Sequence, residues 1–184
     1  MKADEALKIL LHGNERFSGK RHTQIGKTFK KIQEVEREQH PFAVIVGCSD
    51  SRVPPEIIFD VRLGDLFTIR TAGHVVGDVA LGSIGYAVNH LKVELVVVMG
   101  HMGCGAVTAA LESGGELPQL SAVLEPIRNA IKNVDEHKND YLDKAVRENI
   151  LSVADGLRSA NINENLKVVG ALYDMHTGKV AIIS

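Results

Sequence analysis

The stretch Phe42-Ala43-Val44-Ile45-Val46-Gly47-Cys48-Ser49-Asp50-Ser51-Arg52 decides how this chain is read. An apolar, partly β-branched run ending at a glycine is the mark of a strand covered on both faces in a parallel sheet. The same pattern recurs at Leu95-Val96-Val97-Val98-Met99-Gly100, and His101-Met102-Gly103-Cys104-Gly105 follows it. In an open α/β sheet, ligands bind beyond the carboxyl ends of the strands, where the strand order reverses. Cys48, Asp50, His101 and Cys104 are therefore expected to converge on one such crevice. Cys48 and Cys104 are the chain's 2 cysteines. Two thiols, an imidazole and a carboxylate are zinc ligands by chemical type.

Around these two strands the chain alternates. Strands are expected over 42–47, 66–70, 95–99, 167–174 and 179–183. Helices are expected from Pro54-Pro55 through Phe59, over 79–91, 106–112, 119–133 and 141–160, with Gly114-Gly115 as a break. Proline suits the first turn of a helix, which favours a start at Pro54-Pro55. Strands alternating with helices imply right-handed crossovers and an α/β fold. The central sheet is mostly parallel, with about four strands. His176-Thr177-Gly178 turns the chain into a short antiparallel edge strand.

Two helices precede the first strand. Residues 3–18 carry an apolar stripe, Ala3, Leu7, Leu10 and Leu11, with Gly19 as a stop. Residues 27–39 read as a charged helix ended by Pro41. Neither has an evident core of its own to cover. They either pack on their own domain or reach across to another subunit, and the expectation taken forward is N-terminal helices extending onto a partner subunit. The organisation is a single domain over 1–184, with a helical arm at 1–40 and an α/β core at 41–184.

A length of 184 residues with 45% hydrophobic content fits one globular domain that needs no staples. A net charge of −2 gives no footprint for nucleic acid. No apolar run reaches the roughly 18 residues needed to span a bilayer. The start, Met1-Lys2-Ala3-Asp4-Glu5, lacks a signal peptide's apolar core, so the expected location is cytoplasmic. Two cysteines cannot build a disulfide scaffold and read instead as metal-binding or catalytic.

Three protein ligands leave a zinc ion's fourth position to water, whereas four close it. Asp50 leaves both outcomes open. Arg52, two residues on, can hold the Asp50 carboxylate as a bidentate pair. Held so, Asp50 leaves the metal open and becomes an acceptor beside the attacking oxygen. Zinc makes hydroxide available near neutral pH. Gly105 lets a backbone N–H come close, and a helix starting there favours a thiolate and an anionic product. The set suits addition of water to a small electrophilic carbon.

The paired motifs, Cys48-Ser49-Asp50-Ser51-Arg52 and His101-Met102-Gly103-Cys104-Gly105, resemble those of the β-class carbonic anhydrases, in particular the plant-like branch. Val168-Val169-Gly170-Ala171-Leu172-Tyr173-Asp174 is similar to that family's closing strand. The resemblance implies zinc-dependent reversible hydration of carbon dioxide to bicarbonate and a proton, through zinc-bound hydroxide. It implies Cys48, His101 and Cys104 as metal ligands, joined by Asp50 in a closed form only. Asp50 and Arg52 become the catalytic dyad. Gln39, Phe67, Tyr86 and Gly105 match substrate-pocket positions. The family's pocket lies at a dimer interface, so a homodimer or homotetramer is implied. No nucleic-acid or membrane partner is expected.

The chain also departs from the family pattern. The usual RNxAN run is here Arg70-Thr71-Ala72-Gly73-His74, and Ala72 implies a wider pocket than the usual valine. With 0 tryptophans, the tryptophan-containing bicarbonate regulatory site of some relatives cannot be present in its usual form. Two rivals remain: a carbonyl sulfide or carbon disulfide hydrolase on the same fold, and an inactive zinc-stabilised binding protein. The histidines outside the motif are expected at the surface or in loops, with His74 a candidate proton shuttle.

Overall fold

A computed structural model describes residues 1–22, 35–36, 38–112, 118–135 and 140–184. Five strands form one sheet: β1 (Ala43–Cys48), β2 (Leu66–Thr71), β3 (Leu95–His101), β4 (Lys167–Asp174) and β5 (Lys179–Ile182). Their spatial order is β2-β1-β3-β4-β5. Pairings β1–β2, β1–β3 and β3–β4 are parallel, and β4–β5 is antiparallel. The expected mostly parallel sheet with an antiparallel edge strand is what forms. Every residue of β1 and β3 is buried, as central parallel strands covered on both faces require.

The topology places the site. The chain leaves β1 toward β2 on one side, then returns to lay β3 on the other. The strand order therefore reverses between β1 and β3, and Cys48 and His101 are the last residues of those two strands. Helices cover the sheet: α1 (Ala3–Ser18), α2 (Pro55–Ile58), α3 (Asp78–Asn89), α4 (Gly105–Leu111), α5 (Ser121–Ile131) and α6 (Tyr141–Ser159). On α6, Val146, Ile150, Ala154 and Leu157 recur at helical spacing and are buried, and the helix packs on β3 and β4. The predicted helix over 27–39 and the break at Gly114-Gly115 lie mainly outside the described residues.

The N-terminal helix does have a core of its own to cover. It lies on its own chain, against β5, α2, β3 and β1. Its buried residues are Ala6, Leu10, Gly13 and Asn14, while Ala3, Leu7 and Leu11 of the expected stripe are only partly buried. Full burial of Leu10 contributes about 2 kcal/mol. The Asn14 amide donates to the Ile58 and Gly178 carbonyls at 3.1 and 2.9 Å, and its oxygen accepts from the Val180 amide at 2.8 Å. Arg16 Nε donates to the buried Asp60 carboxylate at 2.7 Å. The core this helix covers is supplied largely by the β4–β5 hairpin and α2.

Candidate metal centre

Cys48 ends β1, His101 ends β3, and Cys104 sits immediately before α4. All three are buried, and their ligand atoms lie within 4.8 Å of one another. The two sulfurs are 3.9 Å apart. Two Zn–S bonds at a tetrahedral angle would span about 3.8 Å, so the thiols stand at the spacing a zinc ion needs. His101 Nδ1 lies 3.0 Å from the Met102 carbonyl oxygen. That bond puts the proton on Nδ1 and a bare lone pair on Nε2. Nε2 is buried with no hydrogen-bond partner among the described residues. A buried acceptor costs free energy unless something occupies it; a zinc ion between the two thiols and this nitrogen fits.

The electrostatics favour the ligating forms. Beside Cys104, Cys48 has its pKa lowered well below the usual thiol range: hydrogen bonding from the neighbouring thiol outweighs burial, and His101 and the Asp50 and Gly73 amides add to it. Cys104 is pushed up, because hydrogen bonding to Cys48 and burial both favour its neutral form, although the amides of Val107 and Ala106 oppose this. The pair thus readily gives up one proton and resists losing the second. A divalent cation removes that resistance.

Asp50 is held away from the three ligands. Its Oδ1 accepts from Arg52 N and Nε, both at 2.9 Å, and its Oδ2 accepts from Arg52 Nη2 at 2.7 Å. Oδ2 still lies only 3.8 Å from His101 Nε2. The Arg52 hydrogen bonds keep the carboxyl well below the usual range, so it is ionised at all ordinary pH. Asp50 and Arg52 are therefore paired, with the carboxylate beside the donor set.

One further group acts here that sequence reasoning missed. Arg70 Nε donates to the Cys48 carbonyl at 2.9 Å, and its Nη2 donates to the Asp50 carbonyl. Arg70 thereby fixes the loop that carries a thiol and the carboxylate. Its signal was its place near the end of β2, in register with Gly47. His74 is fully buried rather than at the surface, which corrects both its expected exposure and its candidacy as a shuttle. A shuttle must exchange protons with solvent, and burial pushes the pKa of this ring down to about 4.

The expected pocket residues lie on a partly open surface. The rings of Phe67 and Tyr86 lie 6.2 Å apart, Tyr86 is exposed, and Gln39 and Gly105 are exposed as well.

A two-thiol, one-imidazole donor set at the switch point of a parallel sheet, with a carboxylate tethered beside it, defines a zinc enzyme of the α/β class. The carbonic anhydrase family model matches residues 43–180. Carbonic anhydrase 2 of Mycobacterium tuberculosis is 40% identical, over 96% of this chain and 91% of that protein. The carbonic anhydrase of Pseudomonas aeruginosa is 32% identical, over 95% and 86%. Among solved structures, the Coccomyxa β-carbonic anhydrase in complex with acetazolamide superposes with a TM-score of 0.77 at 26% identity, covering 95% of this chain and 84% of that one. One of two tetrameric β-carbonic anhydrases from Sordaria macrospora gives 0.72 at 29% identity, covering 95% and 94%. The chain belongs to the β-class carbonic anhydrases, and it is a zinc-dependent carbonate dehydratase.

Proposed function

We propose that this chain interconverts carbon dioxide and bicarbonate with Cys48, His101 and Cys104 holding zinc, and with Asp50 and Arg52 as a gate on the fourth position. The bound metal supplies a Lewis acid that makes water nucleophilic near neutral pH. Asp50, ionised and fixed by Arg52, accepts a hydrogen bond from the attacking water and orients it toward the carbon. Arg52 also keeps the carboxylate off the metal. Arg70 holds the Cys48–Asp50 backbone so that thiol and carboxylate keep their spacing. The Gly105 amide, at the start of α4, is suited to the anionic product.

The observation that carries this reading is the Asp50 carboxylate pinned by three Arg52 hydrogen bonds, 3.8 Å from an orphaned His101 nitrogen. An inactive binding protein would have no use for that tether. Gln39, Phe67 and Tyr86 are read as substrate-side residues of a pocket completed by a second copy, so the working form is a homodimer or a homotetramer. Two free thiols used as ligands suit a cytoplasmic setting. Among the described residues, no helix is long and apolar enough to cross a membrane. Plant-like pocket positions are the basis for assigning the chain to that branch.

Zinc analysis and stopped-flow hydration test the gate. Arg52→Ala is expected to keep about one zinc per chain and lose nearly all hydration, because the freed carboxylate takes the open position. Asp50→Ala is expected to keep its zinc and be slow. If Asp50→Ala sheds the metal, Asp50 is a permanent ligand and the gate is wrong. Sulfide release from carbonyl sulfide, assayed beside hydration, settles the substrate.

A further inference from the structure

Gly73 and His74 are consecutive residues in left-handed backbone, at φ of 60° and 49°. Glycine adopts this freely, but histidine does so at a cost of about 1 kcal/mol. Such a turn persists only where its surroundings hold it. One side chain on a distant helix does so. Asn149 of α6 is buried, and its Nδ2 donates to the Gly73 carbonyl at 3.0 Å and to His74 Nε2 at 3.1 Å. The Gly73 carbonyl can only accept, so the nitrogen end of the amide must face the turn. His74 Nε2 must then accept as well, which leaves the ring neutral with its proton on Nδ1.

The same turn touches every segment bearing a metal ligand. Just before it, the Thr71 carbonyl accepts from the Ser49 amide at 2.9 Å, next to Cys48. The His74 ring edge lies against Gly100, where an added Cβ would come within 3.0 Å of Cε1, next to His101. Gly73 faces Ala106, two residues past Cys104, where an added Cβ would come within 3.1 Å of the Ala106 side chain.

We propose that Asn149 is a positioning residue of the metal centre: its amide holds the left-handed Gly73–His74 turn as a wedge against the three segments that carry Cys48, His101 and Cys104. The proposal rests on the reading of those three residues as ligands. Asn149 touches neither metal nor substrate and acts through the turn.

The test is zinc affinity, measured by competition with a chromophoric chelator on folded, zinc-loaded protein. Asn149→Leu and Asn149→Asp remove the donors at similar size. Both are expected to bind zinc 10- to 100-fold more weakly, the usual cost of losing an outer-sphere partner, and to alter the visible spectrum of the cobalt-substituted protein. Val153→Ala, on the same helix, is expected to lower thermal stability and leave zinc affinity unchanged. Asn149 variants that fold and bind zinc within twofold of wild type overturn the proposal. If neither folds, nitrogen NMR of the wild type decides: a proton on His74 Nδ1 with a bare Nε2 supports it, and a proton on Nε2 overturns it. Cys48→Ser is run alongside. If it keeps wild-type zinc affinity, the ligand reading itself has failed; if it loses zinc while Asn149 variants do not, only the role of Asn149 has failed.

Discussion

His74 illustrates how one residue's environment sets its chemistry. Burial penalises the imidazolium and the nearby His101 adds to this, outweighing the opposing pull of Cys48 and of the Asn149 hydrogen bond. The folded-state pKa is therefore pushed down to about 4 from the ordinary histidine value of about 6.5. Between these values the unfolded chain binds a proton that the folded chain refuses. The stabilisation is complete above the unfolded value and is lost as pH falls toward the folded one. Metal-free protein should accordingly lose about 3 kcal/mol between pH 7 and pH 4 through this residue. Urea unfolding of wild type and His74→Gln at both pH values measures it. An identical pH dependence in the two proteins would mean that His74 contributes nothing. The residues legible in sequence were those whose role is local: Cys48, Asp50 and Arg52 lie within five positions, and His101 and Cys104 within four. Arg70 and Asn149 were not, because they act on backbone carbonyls at a distance, and a side chain bonded to a carbonyl leaves no pattern in the partner's identity.

At the scale of elements, periodicity read the sheet well, because β1 and β3 are unbroken apolar runs that only central parallel strands require. It misjudged α1 because the surface that helix covers is assembled from β5, α2, β3 and β1, segments scattered along the chain. Close approach, rather than the apolar stripe, sets its docking. A Cβ added at Gly13 would stand 1.8 Å from the Phe59 carbonyl oxygen, a backbone atom that cannot swing aside. Gly13→Ala should therefore lift α1 off α2 and strain the Asn14 and Arg16 bonds on the next turn. The expected loss is about 3 kcal/mol or more, since several buried contacts fail together. Denaturant unfolding measures it, and hydrogen exchange should show α1 amides losing protection first. A variant as stable as wild type, with α1 still protected, would mean that the helix docks in some other way.

For the whole molecule, the open question is what covers β2. A parallel strand is normally buried on both faces, yet all six residues of β2 are only half-buried. The adjacent α3 carries Val79, Gly82, Ser83 and Tyr86 along one helical face; Val79 is 86% exposed, Tyr86 is 47% exposed, and nothing lies within 4 Å of a Cβ built at Gly82. Ile57 and Leu63 are exposed as well. Among the described residues this strand edge is uncovered, and a strand edge beside large apolar side chains is a surface that folded chains normally cover. The expected cover is a second copy, which would also close the Phe67–Tyr86 side of the pocket. Val79→Glu tests this cleanly, because Val79 contributes almost nothing to its own chain's core. The variant should keep the thermal stability of a dissociated chain, shift toward monomer in sedimentation velocity, and lose hydration activity as it does. Deletion of residues 1–18 should behave differently: α1 is packed on its own sheet, so its loss should destabilise the chain itself rather than merely separate copies. If wild-type protein sediments as a monomer at full activity, the β2–α3 face has no partner of this kind and the pocket is complete within one chain. If Val79→Glu remains oligomeric while the 1–18 deletion yields stable monomers, α1 rather than β2 and α3 holds the assembly together.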